Sequence, residues 1–252
     1  KGVQKEAMQE GSRMHRKIQG RMGIEYRAEV PLKLEVPQEQ YVLALEGRAD
    51  GIITSEEGVT IDEIKCMYTD VTRFEEPIFV HKAQAMCYAY IYALQNGLDQ
   101  ISVQMTYCDL DTEEIRRLQE SFSFFWLERW FQDMIEAYRK WTDFQFAWRK
   151  IRQASIQTLE FPFPYRDGQR KLVGDVYRTI NRKKILFIQA PTGTGKTIST
   201  LFPAIRAVGE NLGDKIFYLT AKTITRTVAK DTCDLLKAHG YQSKVSLRGD
   251  GL

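Results

Sequence analysis

The sequence predicts an α/β protein in two parts: a mixed sheet flanked by helices, then the start of a parallel α/β lobe. Three observations carry this. Between Gly47 and Cys66, two runs of strand-forming residues, Arg48 to Thr54 and Val59 to Lys65, flank Ser55-Glu56-Glu57-Gly58, the composition of a tight hairpin turn. Around that hairpin the patterns run helix, strands, helix, strand, which makes a compact unit with helices covering a sheet. After Gly168 helix and strand alternate regularly, the signature of a parallel, doubly wound sheet.

From about Gln4 to Met22, Met8, Gly11, His15, Ile18 and Met22 recur at steps of three and four, so a helix is predicted with His15 on its inward stripe and Gly11 leaving room for close approach. A histidine merely near a helix end, among Arg13, Arg16 and Lys17, is the plainer alternative. Tyr26 to Val36 and Tyr41 to Glu46 read as strands joined by Pro37-Gln38-Glu39-Gln40, giving with the hairpin a mainly antiparallel sheet. Phe79 to Asn96, stopped by Gly97, reads as a helix with Ala83, Cys87, Tyr90, Ile91 and Leu94 on its core face and Gln84 and Tyr88 one turn apart beside it. Ile101 to Cys108 is a further strand.

Thr112 to about Arg152 reads as a long helical stretch holding all 4 tryptophans, Trp126, Trp130, Trp141 and Trp148. Aromatics at helical spacing point to core or interdomain packing ahead of base stacking. Phe161-Pro-Phe-Pro164 marks a boundary, because prolines stop a helix and favour extended chain. The domains predicted are 1–111, a helical connector over 112–159, and a lobe over 160–252. In that lobe, helices 169–181, 196–208 and 223–238 alternate with strands Ile185 to Gln189 and Lys215 to Leu219.

The net charge of +3 hides an asymmetry: residues 1–159 hold more acidic than basic side chains and residues 160–252 the reverse, which marks the later part for phosphate contact. The 4 cysteines form no CxxC pair, which argues against a zinc or iron-sulfur site and for reduced thiols in a cytoplasmic setting. No signal peptide or membrane-length apolar run is present, so no membrane partner is expected. Opening at Lys1 and ending on Gly-Asp-Gly-Leu, the sequence is expected to be a piece of something longer.

In the hairpin, pairing Ser55 with Gly58 sets Asp50 opposite Glu63, with Lys65 on the face of Glu63 and Asp62 and Ile64 on the other. Opposed carboxylates are destabilising unless a cation joins them, and hard oxygen ligands suit magnesium or manganese. The same residues also suit a solvated surface hairpin, and a looser loop would break the pairing by one residue.

Gln189-Ala-Pro-Thr192-Gly193-Thr194-Gly195-Lys196-Thr197 lies between an apolar run and a helix. Glycines turn N–H groups toward phosphate, the helix N-terminus adds positive potential, Lys196 reaches terminal phosphates and Thr197 can ligate magnesium, so ATP binding is expected. Ala190 stands where such loops usually begin with glycine. The stretch is similar to the phosphate loop of superfamily-two helicases, and its surroundings resemble the DinG and XPD branch. Phe163-Pro-Tyr-Arg166-Asp-Gly-Gln169 resembles that branch's Q motif, which implies adenine recognition by Gln169. Thr220-Ala-Lys222-Thr223 resembles motif Ia, which implies contact with a DNA phosphate. That resemblance implies a RecA-like P-loop motor lobe lacking here its DEAH box, the branch's iron-sulfur cysteines and its second lobe, so ATPase and helicase action belong to the full-length protein.

The earlier residues resemble RecB-like PD-(D/E)XK nucleases, in the order Gly11 to His15, Asp50, Glu63-Ile64-Lys65, then Gln84 to Tyr88 as QxxxY. The resemblance implies a restriction-endonuclease-like sheet in which His15, Asp50, Glu63 and the Ile64 carbonyl ligate the metal. Lys65 would orient or help deprotonate the attacking water, and Gln84 and Tyr88 would position the DNA backbone. For Gln84 and Tyr88 a polar helix edge is the alternative. The expected function is a metal-dependent nuclease acting on single-stranded DNA, coupled to an ATP-dependent helicase in DNA repair or processing. A nucleotide-gated DNA-binding module with an inactive nuclease fold, and an RNA-directed enzyme, are the other readings.

Overall fold

The computed structural model describes residues 2–191, 193–221 and 223–247. The chain divides into two compact units, Lys1–Tyr138 and Arg139–Leu252.

The first unit is built on one mixed sheet in the order β1 (Tyr26–Pro37), β2 (Val42–Ser55), β3 (Gly58–Met67), β4 (Gln100–Asp109), β5 (Ile115–Ser123). Only β3 and β4 run parallel, and α2 (Phe79–Asn96) makes the crossover between them. The hairpin register is the expected one from Ser55 opposite Gly58 to Gly51 opposite Asp62, but the ladder stops there and the expected pairing of Asp50 with Glu63 is not part of it. α2 has the predicted bounds and stops at left-handed Gly97, whose N–H returns to the Ala93 carbonyl.

Apolar residues cover both faces of the sheet. On one, Ile52, Ile61, Val103, Met105 and Tyr107 meet Ala85, Met86, Ala89, Tyr90 and Ala93 of α2. On the other, Ile64, Cys108 and Leu110 meet Met14 and Ile18 of α1 (Gly2–Gln19). The α1 core stripe is thus Met14 and Ile18 with His15 at its flank, and a Cβ at Gly11 would touch nothing within 4 Å, so no close approach needs that glycine. The buried face of α2 is wider than predicted and leaves Leu94 exposed, because α2 also meets α3 (Phe124–Gln157), where Tyr90 stacks on Phe131 at 4.2 Å.

The stretch predicted helical from Thr112 instead begins with β5, paired along β4 from Ile115 to Ser123. Ile115, Leu118 and Phe122 have helical spacing, yet this is an edge strand where backbone pairing with β4 outweighs side-chain period. The helix starts at Phe124; Leu127, Phe131 and Ile135 are buried, whereas Trp126 and Trp141 stay largely exposed.

In the second unit, α4 (Gln169–Asn181), α5 (Lys196–Gly209) and α6 (Thr223–Ala238) match the predicted helices. Their core joins Ile156 and Leu159 to Ile198, Phe202, Ile205, Val208 and Leu236. Arg206 donates to the carbonyls of Ile156, Gln157 and Leu159, which caps the end of α3. The two predicted strands do not form ladders among the described residues: 184–190 and 215–220 are irregular, with Phe187 92% and Leu219 89% exposed. An apolar run reads as a buried strand from composition, but a strand exists only through the neighbours that take its N–H and C=O groups. The parallel sheet predicted for this lobe is therefore not formed by the described residues.

Candidate functional site

β2 and β3 separate just beyond the Gly51–Asp62 rung, and Asp50 fills the opening. Its Oδ2 accepts the Ile64 N–H at 2.7 Å, taking the place of a ladder hydrogen bond. The rung between Asp50 and Glu29 on β1 is also absent, and Glu29 has φ 56°. Here the alternation of faces slips: Leu43, Leu45 and Ala49 share the α2 side with Ile52. Asp50 therefore sits at a local distortion of the sheet, the kind of irregularity that re-aims a side chain.

Two glycines bracket it. A Cβ on Gly51 would lie 1.9 Å from Tyr26 Cζ, and one on Gly47 2.6 Å from Tyr88 Cε1. Tyr26 uses that space to donate to Asp62 Oδ2 at 3.0 Å, while Gln104 and Thr106 donate to Asp62 Oδ1. Asp62 is fully buried, and these three donors satisfy its side-chain oxygens. The Gly51→Ala protein is expected to lose about 1–3 kcal/mol of stability through overpacking against Tyr26, read as a lower urea midpoint. An unchanged midpoint would show that Tyr26 can leave its place freely. Sequence reasoning missed Gly47, Gly51 and Tyr26; the available signal was glycine inside a strand, which marks a bulge or a close approach.

The remaining side chains converge on Glu63. Lys65 Nζ donates to Glu63 Oε1 at 2.7 Å and to Gln84 Oε1 at 3.2 Å, and Gln84 Nε2 donates to Tyr88 OH at 3.3 Å. From α1, His15 Nδ1 lies 3.8 Å from Asp50 Oδ1, and Gln19 Nε2 donates to the Asp50 carbonyl at 3.0 Å. Residues distant in sequence thus form two groups, His15 with Asp50 and Glu63 with Lys65, Gln84 and Tyr88, and the Asp50 charge is felt at Glu63.

Burial pushes the Glu63 carboxyl up to about 7, with the Asp50 charge adding to the effect and Lys65 opposing it. Burial also raises Asp50, against the Ile64 N–H, His15 and Lys65. Glu63 Oε2 is buried without a hydrogen-bond partner, an unusual state for a residue 1% exposed. Two carboxylates with an imidazole nearby are a donor set that suits magnesium or manganese, and the orphaned oxygen is what such an ion would satisfy. Among the described residues, however, no group of three or more His, Cys, Asp or Glu is arranged to hold a metal ion. Lys65 neutralises Glu63 in this arrangement, and Ile64, expected as a carbonyl ligand, meets Asp50 through its N–H.

In the second unit, Lys196 donates to the carbonyls of Ala190 at 2.7 Å and Pro191 at 2.9 Å, and Thr194 also bonds Pro191. The Gln169 amide accepts from the Arg166 N–H at 3.1 Å and donates to the Thr194 carbonyl at 3.5 Å, while Arg166 reaches the Gly193 carbonyl. Gln169 is thus tied to the phosphate loop itself. Gly195 caps α5, which Lys196 and Thr197 open, and Thr223 opens α6 close behind Thr220. Thr192 and Lys222, expected at phosphate and at DNA, lie outside the described residues. No helix among the described residues is long and apolar enough to cross a membrane.

No family model matches the chain. A stretch of 47 residues, 18% of the chain, is 40% identical to a probable ATP-dependent helicase of Methanocaldococcus jannaschii, and the match spans 7% of that protein. Among solved structures, the crystal structure of SSO0001 is similar at 19% identity and a TM-score of 0.36, over 50% of this chain and 58% of that one. A short part of the chain is therefore helicase-like in sequence, and its first unit is a mixed α/β fold whose five-stranded sheet is flanked by helices.

Proposed function

We infer that the chain combines a metal-dependent DNA nuclease with the opening part of an ATP-dependent DNA helicase, and that the nuclease cuts single-stranded DNA. One observation carries the reading: Glu63, with an unpartnered buried oxygen, a raised pKa and Lys65 at 2.7 Å, lies beside Asp50 where two strands part. The helicase half rests on the phosphate-loop motif and on the short similarity to a probable ATP-dependent helicase.

Asp50 and Glu63, with His15, are the residues that would hold the cation. Bound there, a divalent ion would supply charge neutralisation at the phosphate and an activated water. Lys65 donates to Glu63 and would offer positive charge to the developing phosphorane. Gln84 orients Lys65 through its carbonyl oxygen, and its NH2 group and Tyr88 give a polar edge for a sugar-phosphate backbone. Gln169, Thr192, Gly193, Thr194, Gly195, Lys196 and Thr197 would bind ATP, and Thr220, Lys222 and Thr223 a DNA strand.

The protein is expected to cut end-labelled single-stranded DNA with magnesium or manganese and without ATP. Intact DNA under both metals would refute the nuclease reading. The second reading, a nucleotide-gated DNA-binding module with an inactive nuclease fold, is favoured by the lack of a three-ligand metal cluster among the described residues. DNA retained without cleavage would establish it.

A further inference from the structure

His81 stands in the first turn of α2, and positions 81, 84 and 88 follow the three-and-four spacing of one helix stripe, so it precedes Gln84 and Tyr88 on their own side. Its ring centroid lies 5.9 Å from that of Tyr107, a fully buried residue whose register partner on β3 is Lys65. The charge of Lys65 is felt at both rings. His81 Nδ1 is buried with no hydrogen-bond partner, a state that disfavours folding unless something uses it. Burial, and then the nearby Lys65 charge, hold the imidazole below its ordinary pKa, so at neutral pH it is uncharged and keeps an acceptor nitrogen.

Lys65 has three N–H donors, of which Glu63 and Gln84 take two. A cation bound by Glu63 would compete for the carboxylate that now holds the ammonium. We propose that His81 is a positioning residue of the nuclease centre, its Nδ1 accepting the Lys65 ammonium when Glu63 is given over to the cation. The amine then stays aimed at the substrate phosphate instead of swinging into solvent. This rests on the nuclease reading above and adds to it a residue that acts through Lys65 without touching the reacting atoms.

Two measurements test it. Single-turnover cleavage of single-stranded DNA in manganese is expected to fall about 10–100-fold in His81→Leu, the range for partners that orient a metal centre, with DNA affinity unchanged. His81→Asn, whose side-chain oxygen takes the place of Nδ1, is expected to recover most of that rate. A leucine variant as fast as the parent, or an asparagine variant as slow as leucine, overturns the proposal. Independently of activity, the His81 Nδ1 resonance in 15N-labelled protein is expected to move upfield in Glu63→Ala, where Lys65 has lost its carboxylate. It is expected to return in the Glu63→Ala/Lys65→Met double variant. A resonance that ignores Glu63→Ala overturns the proposal even in a protein that cuts nothing, whereas a parent that fails to cut counts against the nuclease reading alone.

Discussion

The Glu63→Ala protein is expected to cut single-stranded DNA at least about a thousandfold more slowly than the parent, because it loses several kcal/mol of transition-state stabilisation. The cation loses a ligand, and Asp50 is left with His15 to hold it where β2 and β3 part, whereas Lys65 leaves this carboxylate whenever the cation is bound. DNA affinity measured in calcium is expected to hold, since Gln84, Tyr88 and the basic later residues are untouched. A Glu63→Ala protein that cuts as well as the parent removes the site from the chemistry.

The second large effect runs in the opposite direction, on stability. The Glu63 carboxyl lies at about 7 in the folded chain against an ordinary 4.5, with burial as the main cause. Below pH 4.5 the group is protonated in both folded and unfolded chains and contributes no difference. Between 4.5 and about 7 the unfolded chain releases a proton that the folded chain keeps, so stability falls as pH rises through that window. The full loss is roughly 3 kcal/mol above the window. Burial raises Asp50 as well, which adds to the loss with the same sign. Glu63→Gln keeps the shape without the charge, so in chelator-treated buffer at pH 8 it is expected to unfold at higher urea than the parent. The gap should narrow at pH 5, and a constant gap contradicts the account. Stability given up by burying a carboxyl group at a functional site is the usual price of function.

Much of the first unit is legible in the sequence, because local signals and final contacts agree there. The hairpin turn fixes a register that persists to Gly51 and Asp62, and α2 begins and ends where its pattern and Gly97 say. The grouping of Glu63, Lys65 and Gln84 follows from strand alternation and one helix stripe. What the residues could not reveal is the slip at Asp50, which depends on Glu29 across the sheet and on the Tyr26 ring over Gly51. β5 hides for a related reason: its apolar residues have helical spacing, and only β4 makes it a strand. His81 escapes a motif reading because its meaning lies in Tyr107 and Lys65, on two other elements. In the second unit the helices follow their periodicity, whereas the two apolar runs depend on pairing that no local pattern supplies.

A crystal soaked in manganese and measured at its absorption edge shows whether the two carboxylates hold a cation. Anomalous density is expected between the carboxylates of Asp50 and Glu63, with Lys65 Nζ displaced from Glu63 and the peak absent in Glu63→Ala. A peak elsewhere, or an Asp50–Glu63 pair left bare with Lys65 still bonded to Glu63 in a manganese-saturated crystal, contradicts it.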